Sequence, residues 1–390
     1  MNFDQTQRQI QRCKRCFPRC CFWCLAPLMS VLVAGCGGDS GGRVGQNEDG
    51  MSAAPAACSA SRLEALEAGM SATLSQTDSE VDFSFSVQRR DGRRYDYNRG
   101  SSTLQKIYQS ASTSKLVAAV MILRLVDQGY LNLADRPQDR IQTWPILSTD
   151  ALYGMTLAHL LSLTSGLNDE PSCVSAGTPD LETCVVNIAN NNAGRNIPPG
   201  QQFFYANTHH QVAGLMAARA RGTSSWQDVF AEFKTQTGLF ATSTFDQPSA
   251  SNPQIAGGML VTGEEYMDFL KALKDGLLLT ADSMTQLLAD RTASVDIAFS
   301  PIVEGIGGGP GLGEDWHYGF GLWHECRSAT FSCVPGTRVS SPGNYGSYPF
   351  WDRSKGYTGV VVRQGVSGTL ARGIAIERAV QPIVEQWADC

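Results

Sequence analysis

The 390-residue sequence carries little charge. Asp, Glu, Lys and Arg together make up 17% of it, the formal net charge is −6 and the pI is about 5.4. No basic stripe is present, so the electrostatic footprint of a nucleic-acid-binding protein is missing. Glycine, in contrast, is frequent with 39 residues, a composition typical of loop-rich extracytoplasmic enzymes. We therefore expect no nucleic-acid partner.

Motifs for cofactors, metals and histidine-based catalysis are also missing. The glycine-rich segment at residues 305–313 lacks GxGxxG spacing and follows no predicted strand, so it is interpreted as a loop and not as a phosphate cradle. The cysteines lack paired CxxC spacing, which makes a metal site the weaker interpretation. There are only five histidines and no GxSxG elbow between a strand and a helix, so a Ser–His–acid triad is disfavoured. We expect neither a cofactor nor a metal.

The N-terminus has the order of a secretory signal. A basic stretch precedes an apolar run at residues 21–33, which is interrupted by Pro27 and is too short to span a membrane comfortably. The run leads into Leu-Val-Ala-Gly-Cys at residues 32–36, which resembles the lipobox of bacterial lipoproteins, in which the cysteine is diacylated. We predict a signal peptide at residues 1–35 and lipidation of Cys36. The alternative is an ordinary signal peptide cut after the same small residues.

The lipidated Cys36 would anchor the exported protein to the membrane of the cell envelope. Gly37 follows it, where an inner-membrane-retained lipoprotein of the enteric type more often has aspartate, so we expect an outer-membrane anchor facing the periplasm. Residues 36–57 are small, polar and unpatterned beyond the cysteine, which predicts a flexible tether.

The cysteines indicate disulfides. Of the 12 in the sequence, five lie in the predicted signal peptide and one is Cys36, which leaves six. An even number in an exported protein is typical of disulfides, although six cysteines allow 15 pairings. Two pairs are close in sequence, and the two remaining cysteines lie at the ends of the folded domain. The predicted pairs are Cys58–Cys390, Cys173–Cys184 and Cys326–Cys333.

The stretch at residues 108–128 is polar at its start and then apolar with helical period, which predicts a buried helix. Its first turn holds Ser112 and Lys115, three residues apart and so on one face. Lys115 alone among the seven lysines has a serine at this spacing. A serine nucleophile needs a base, and a lysine can serve only if burial lowers its pKa. The alternative is a helix cap followed by a solvated lysine.

The remaining pattern predicts an α+β fold. A helix at residues 59–76 is followed by a hairpin with its turn at Asp91 and Gly92, and residues about 130–255 form a helical region. Helices at 262–277 and 281–289 come next, then strands at 318–323, 345–351 and 357–363, and a closing helix at about 372–387. We expect one domain over residues 58–390, an antiparallel sheet flanked by N- and C-terminal helices with an inserted helical region.

Three motifs together resemble the serine β-lactamase and penicillin-recognising hydrolase family, closest to its class C-like branch. They are Ser-Thr-Ser-Lys at residues 112–115, Tyr-Ala-Asn at 205–207 on a loop before a helix, and a small residue followed by Pro-Gly at 341–343. The peptides HLLSLTSGL, PGQQFFYANT and HYGFGLW are also similar, and the resemblance covers residues 58–390. It implies the β-lactamase/transpeptidase-like fold.

The resemblance implies roles for four residues. Ser112 forms an acyl-enzyme, Lys115 accepts its proton, Tyr205 passes a proton to the leaving group, and Asn207 holds Lys115 and substrate. A tyrosine is a useful base only beside a cation that lowers its pKa, so we expect Lys115 to lower the pKa of Tyr205. The alternative for Tyr205 is a core tyrosine with a satisfied hydroxyl.

The third motif departs from the family pattern, which has lysine or histidine, then threonine or serine, then glycine. The candidates are residues 341–343 and residues 357–359. In the family, the strand with this motif is followed by two more strands before the last helix. The resemblance therefore favours the first candidate, which alone leaves room for them, so we prefer Ser341 and Gly343. The backbone N–H groups of Asn344 and Ser112 would then form the oxyanion hole.

Family members that act on carboxylate-bearing β-lactams or peptidoglycan peptides usually carry a cation in this motif, which neutralises the charge of the substrate. Neither candidate here contains one, although Arg363 or Arg372 could substitute. This departure favours an esterase-like or amidase-like serine hydrolase acting on a small ester or amide in the envelope. Two alternatives stay open: a β-lactamase or D-Ala-D-Ala carboxypeptidase-like penicillin-binding protein, and a non-catalytic envelope binding protein. His209 and His210 are interpreted as packing or rim residues. The sequence predicts no oligomeric state.

Overall fold

The computed structural model describes residues 58–78 and 80–390. The predicted signal peptide, Cys36 and the tether lie outside these ranges, and lipidation therefore stays a prediction. None of the helices within the ranges is long and apolar enough to cross a membrane.

Twelve strands lie in the described part of the chain, and seven of them form one antiparallel sheet. In chain order they are β1 (Phe83–Gln88), β2 (Arg94–Asn98), β3 (Ile107–Gln109), β4 (Gln202–Phe204), β5 (Thr244–Phe245), β6 (Met259–Thr262), β7 (Asp296–Phe299), β8 (His317–Tyr318), β9 (Trp323–His324), β10 (Arg338–Ser340), β11 (Tyr348–Asp352) and β12 (Tyr357–Arg363). The main sheet has the order β2-β1-β12-β11-β10-β9-β8. Two smaller groups, β3-β6-β5 and the parallel pair β4-β7, lie apart from it.

Eleven α-helices accompany these strands over the same residues. They are α1 (Ala60–Gln76), α2 (Ser114–Asp127), α3 (Pro137–Arg140), α4 (Leu157–Leu161), α5 (Cys173–Ala176), α6 (Leu181–Asn192), α7 (Thr208–Ala220), α8 (Trp226–Thr237), α9 (Gly263–Lys274), α10 (Ala281–Leu287) and α11 (Leu370–Asp389). Helices α3 to α8 form the predicted helical region.

The sheet separates two hydrophobic cores. Along β12, Val361 joins the core built with α1 and α11, while its neighbours Val360 and Val362 join the core of α2, α7 and α9. This alternation is the period of two that a strand buried on both faces requires. The terminal helices thus cover one face, as predicted, and α2 lies within the core on the other side.

Helix α1 begins after Ser59, whose hydroxyl accepts a hydrogen bond from the Arg62 N–H at 3.2 Å. It packs against α11, so the first and last helices of the domain lie side by side. A disulfide joins Cys58 and Cys390 at their ends, and two more join Cys173 to Cys184 and Cys326 to Cys333. These are the pairs expected from the sequence.

Two predicted elements are shorter than expected. The helix predicted at 108–128 begins only at Ser114, because Tyr108 lies opposite Val261 in the β3–β6 ladder and a 3₁₀ turn, Ala111–Thr113, connects strand and helix. The strand predicted at 318–323 is in fact the hairpin of β8 and β9. Gly321 turns the chain there with φ of +69° and packs against the Lys115 backbone.

Candidate active site

Ser112 lies on the 3₁₀ turn that leads into α2. The preceding residue, Ala111, has φ of +46°, a left-handed conformation that is uncommon for a residue with a side chain and costs of order 1–3 kcal/mol. The turn places Ser112 at the edge of a cleft of about 400 Å³, where 9% of the residue is exposed. The cleft is lined further by Glu170, Asn207, Asn344, Tyr345, Ile306 and the segment Gly257, Gly258, Met259 and Leu260.

Lys115 lies directly behind Ser112 and is completely buried. Its Nζ donates hydrogen bonds to Ser112 Oγ at 3.1 Å, to Asn207 Oδ1 at 2.9 Å and to the Ala256 carbonyl at 3.3 Å. Burial lowers the pKa of Lys115 to about 7, and the negative charge of Glu170 offsets part of that effect. A substantial fraction of the amine is therefore neutral near pH 7 and able to accept a proton, as a serine nucleophile requires.

Tyr205 forms the side of the site next to Lys115. The Lys115 Nζ lies 4.6 Å from the centroid of its ring, and the ring stacks on Trp323 at 5.4 Å. The expectation that Lys115 lowers the pKa of Tyr205 is wrong: burial raises it, and a hydrogen bond with the Ser112 side chain offsets only part of the rise. The phenol stays protonated at neutral pH, so it can pass on a proton but cannot start the reaction as a base.

Asn207 connects Lys115 to the rim of the cleft. It occupies the N-cap position of α7, yet its side chain makes no capping hydrogen bond to that helix. Instead the amide oxygen accepts from Lys115 and the amide nitrogen donates to Glu170 Oε1 at 3.0 Å. Asn207 thus holds the lysine, which is the contact expected from the resemblance.

The segment after β10 supports the nucleophile from behind. The Ser341 hydroxyl donates to the carbonyls of Ser112 at 3.3 Å and Gly321 at 3.2 Å, so it braces the turn and does not line the cleft. A Cβ on Gly343 would lie 2.5 Å from the Ser110 carbonyl oxygen, which explains why glycine is needed at this close approach. Both residues therefore support the turn that carries Ser112.

The expected oxyanion donors are available. Within the described ranges, neither the Ser112 N–H nor the Asn344 N–H donates a hydrogen bond to another protein group, and both residues line the cleft. The Asn344 side chain is held in place, since its Nδ2 donates to Ser367 Oγ at 2.9 Å and its Oδ1 accepts from the Gly368 N–H at 2.8 Å. Two free amides beside a nucleophile are the arrangement that stabilises a developing oxyanion.

The alternative third motif at residues 357–359 does not reach the site. It lies on β12, where Gly359 pairs with Val87 on one side and with Phe350 on the other, and Tyr357 is fully buried. Tyr357 is a strand aromatic, as expected from the sequence.

Within the part of the chain that the structure describes, no lysine or arginine lines the cleft to supply the missing cation. Arg363 is buried and paired with Asp78 at 2.9 Å, while Arg372 pairs with Glu80 at 2.8 Å. Both arginines are thus committed to acidic partners outside the cleft, and neither replaces the missing cation there.

His209 and His210 are packing residues and not rim residues. Both are fully buried, and His209 Nδ1 shares a hydrogen bond with Ser165 Oγ at 2.7 Å. Burial lowers the pKa of His209 to about 3 and that of His210 well below its usual value, so both rings are neutral. In residues 58–78 and 80–390 no group of three or more His, Cys, Asp or Glu side chains could hold a metal ion.

Glu170 belongs to the site although no sequence motif contains it. This exposed residue lies in the loop between α4 and α5, and its carboxylate accepts hydrogen bonds from the backbone and the side chain of Asn207. Nothing in the local sequence marks it, because the contact joins residues 37 positions apart that only the fold brings together.

Comparisons with known proteins identify the family and the fold. A family model described as Beta-lactamase matches residues 64–380. Penicillin-binding protein 4 of Amycolatopsis lactamdurans is 27% identical over 128 residues, which are 32% of this chain and 32% of that protein. The chain thus matches about a third of the length of this curated relative.

Two solved structures share the fold. A Bacteroides dorei DSM 17855 protein provisionally described as a beta-lactamase has a TM-score of 0.68 and 22% identity, covering 83% of this chain and 99% of that one. EstCE1, described as a hydrolase with promiscuous acyltransferase activity, has a TM-score of 0.64 and 17% identity, covering 83% and 98%. Together with the family match over most of its length, these findings show that the chain belongs to the beta-lactamase family of serine hydrolases and has the beta-lactamase/transpeptidase-like fold.

Proposed function

We propose that this chain hydrolyses an ester or amide through an acyl-enzyme on Ser112. The observation that carries the proposal is the 3.1 Å contact between the Ser112 hydroxyl and a fully buried lysine whose pKa is about 7. A lysine that only capped or decorated a helix would be solvated and cationic. Here the amine is desolvated and aimed at the hydroxyl, which is how a serine nucleophile is activated without histidine.

Acylation follows from the positions of the four groups. Neutral Lys115 takes the proton of the Ser112 hydroxyl as Oγ forms a bond to the substrate carbonyl carbon, and the N–H groups of Ser112 and Asn344 stabilise the oxyanion. When the bond to the leaving group breaks, Tyr205 gives that group a proton and regains one from the Lys115 ammonium. Water then attacks the acyl-enzyme by the same steps in reverse. Tyr205 takes a proton from the water and passes one to Lys115, and the Lys115 ammonium returns a proton to Ser112 Oγ, so Lys115 ends neutral again.

The charge of the cleft points to the substrate class. Among the described side chains that line the cleft, Glu170 alone carries a formal charge, and the nearest cation is Lys115 behind Ser112. A substrate with a carboxylate beside the scissile bond would be repelled and unpaired. We therefore favour a substrate that is neutral or cationic at this position. The description of EstCE1 as a hydrolase with promiscuous acyltransferase activity supports a hydrolytic or acyl-transferring activity.

A second candidate is a penicillin-binding or β-lactam-hydrolysing function, favoured by the similarity to Penicillin-binding protein 4 of Amycolatopsis lactamdurans. It needs the same Ser112 acyl-enzyme but a cleft that accepts a carboxylate.

We propose the cell envelope as the location, with Cys36 lipidated at the outer membrane. This rests on the N-terminal sequence and on three disulfides, which persist in oxidising compartments.

The test compares matched substrates on the purified full chain. Hydrolysis of p-nitrophenyl butyrate is measured for the wild type and for Ser112→Ala, and intact mass follows acylation by benzylpenicillin and by its methyl ester. We expect Ser112-dependent ester hydrolysis and at least tenfold faster acylation by the methyl ester than by the free acid. Faster acylation by the free acid would favour the penicillin-binding function. No turnover and no adduct would leave a binding protein.

A further inference from the structure

Glu170 makes two hydrogen bonds to one residue of the site. Its Oε2 accepts from the Asn207 backbone N–H at 2.8 Å, and its Oε1 accepts from Asn207 Nδ2 at 3.0 Å. The carboxylate lies on the wall of the cleft and is exposed to solvent. Neither the motifs nor the proposed acylation steps give it a role.

The chemistry of the three partners fixes which way the Asn207 amide points. A carboxylate only accepts hydrogen bonds, so the amide NH₂ must face Glu170. The amide oxygen is then turned toward Lys115, where it accepts from Nζ at 2.9 Å. With Glu170 in place, the reversed amide, which would aim its NH₂ at the lysine, loses a hydrogen bond and gains a repulsion between oxygens.

We propose that Glu170 is a positioning residue that orients Asn207 and, through it, holds Lys115 against Ser112. The inference rests on the proposed function, because it assigns Glu170 a part in activating the nucleophile. Glu170 does not touch the reacting atoms and acts on Lys115 indirectly, through its hydrogen bonds to Asn207 and through its negative charge.

The charges around Lys115 allow this role to be separated from simple support of the loop. The titratable groups that face the amine are Glu170, Tyr205, His209 and His210. Burial keeps both histidines and the tyrosine neutral. Glu170 is therefore the group that raises the pKa of Lys115 against its burial, and removing the carboxylate must let that pKa fall.

The experiment measures the rate at which a fluorophosphonate labels Ser112 between pH 5 and 9, which needs no natural substrate. Glu170→Gln removes the charge and one acceptor, and Glu170→Asp keeps the charge but shortens the reach. Asp169→Asn is the matched control, since Asp169 is the adjacent, half-buried carboxylate and pairs with Arg195 and not with Asn207. Thermal melting confirms that each variant is folded.

We expect the E170Q midpoint of the labelling rate to move to lower pH than that of the wild type, and its plateau to fall about tenfold to hundredfold. E170D should keep the wild-type midpoint with a lower plateau, and D169N should match the wild type in both. If E170Q fails to fold, E170D provides the test, because its midpoint should stay at the wild-type value while its plateau falls.

A wild-type midpoint and plateau in E170Q would overturn the positioning role while leaving the proposed function intact. If E170Q and D169N both showed a lower plateau and the same small change in midpoint, Glu170 would only support the loop. That outcome would also overturn the positioning role. Absence of Ser112-dependent labelling in the wild type would instead contradict the proposed function.

Discussion

At the scale of single residues, the site depends on the burial of one amine. Lys115 has no exposed surface and three acceptors around its Nζ, from Ser112, Asn207 and Ala256. In water a lysine is a cation with a pKa near 10.4 and no use as a base at neutral pH. Desolvation changes the residue from a charge into a proton acceptor, and Tyr205 beside it stays a neutral phenol.

Replacing Lys115 should therefore stop acylation even where positive charge is kept. Lys115→Arg places a guanidinium, which is not deprotonated in proteins, behind the serine. We expect the fluorophosphonate labelling rate to fall at least about 10³-fold in this variant, and the pH dependence with a midpoint near 7 to disappear. Lys106→Arg is the control, since Lys106 is exposed and lies outside the cleft. Labelling of K115R within tenfold of wild type would contradict the role of Lys115 as the base.

The same burial predicts how stability changes with pH. The pKa of Lys115 is about 7 in the folded protein and 10.5 unperturbed, so between these values the unfolded chain binds more protons. The contribution of Lys115 to stability must therefore rise with pH across this window, by at most about 5 kcal/mol. The free energy of unfolding of Lys115→Met should exceed that of the wild type by most at pH 6, and this difference should be smaller at pH 9. Urea unfolding of both proteins checks this, and a constant difference would contradict it.

These residues differ in how far the sequence predicts them. The Ser112–Lys115 pair lies within one helical turn, so spacing alone finds it. Tyr205 and Asn207 are found only through resemblance, because folding brings them to the pair. The pKa of Tyr205 was predicted in the wrong direction, since it depends on desolvation by neighbours such as Trp323 that are remote in sequence. Glu170 gives no sequence signal.

At the scale of elements, the site is the meeting point of α2 with the segment that follows β10. Ser341 braces the Ser112 carbonyl, and Gly343 lets the backbone approach the turn closely. Helix α2 can sit there because it is apolar nearly all round and is buried from Ser114 to Leu123.

Adding one methyl group at this contact should separate the two elements. In Gly343→Ala the new Cβ would lie 2.5 Å from the Ser110 carbonyl oxygen and 3.1 Å from Thr113 Cγ2. We expect a loss of about 1–3 kcal/mol of stability from overpacking and a tenfold or larger drop in Ser112 labelling, because Asn344 moves with the segment. Gly154→Ala, which meets nothing within 4 Å, should change neither. If G343A were labelled at the wild-type rate, the close contact between Gly343 and the Ser110 carbonyl would not be needed to position Ser112.

The types of the long elements follow from periodicity, while their ends do not. The helix predicted at 108–128 includes a polar start at residues 108–113, where pairing of β3 with β6 and a 3₁₀ turn take the backbone out of the helix. The alternation at residues 318–323 looks like one strand, and Gly321 breaks it into two. Both corrections come from tertiary contacts that local pattern does not contain.

At the scale of the whole molecule, the sheet lies between a terminal-helix layer and the core that holds α2. The alternation of apolar and polar residues in the strands and the amphipathic helices at the two ends of the domain are enough to predict this α+β arrangement. The small sheet of β3, β6 and β5 and the parallel pair β4–β7 escape prediction, since their strands are two to four residues long. The cleft forms where the helical region meets the sheet.

The ends of the domain are tied by the Cys58–Cys390 disulfide, which closes the longest loop, 332 residues, whereas Cys326–Cys333 closes one of 7. Because loop closure costs more for longer loops, replacing the terminal pair by serines should lower the unfolding free energy by about 6 kcal/mol, against about 2.5 kcal/mol for the short one. Chemical denaturation measures both, and Ser112 labelling should persist while the variants are folded. Equal losses would show that α1–α11 packing, and not the disulfide, holds the ends.

The most direct test of an activated serine is the intact mass of the full chain after exposure to a fluorophosphonate. Ser175→Ala serves as control, because Ser175 also lines the cleft. We predict one adduct on the wild type and on S175A, and none on Ser112→Ala. An adduct that persists on S112A, or a folded wild type that takes up no label, would contradict nucleophilic catalysis by Ser112.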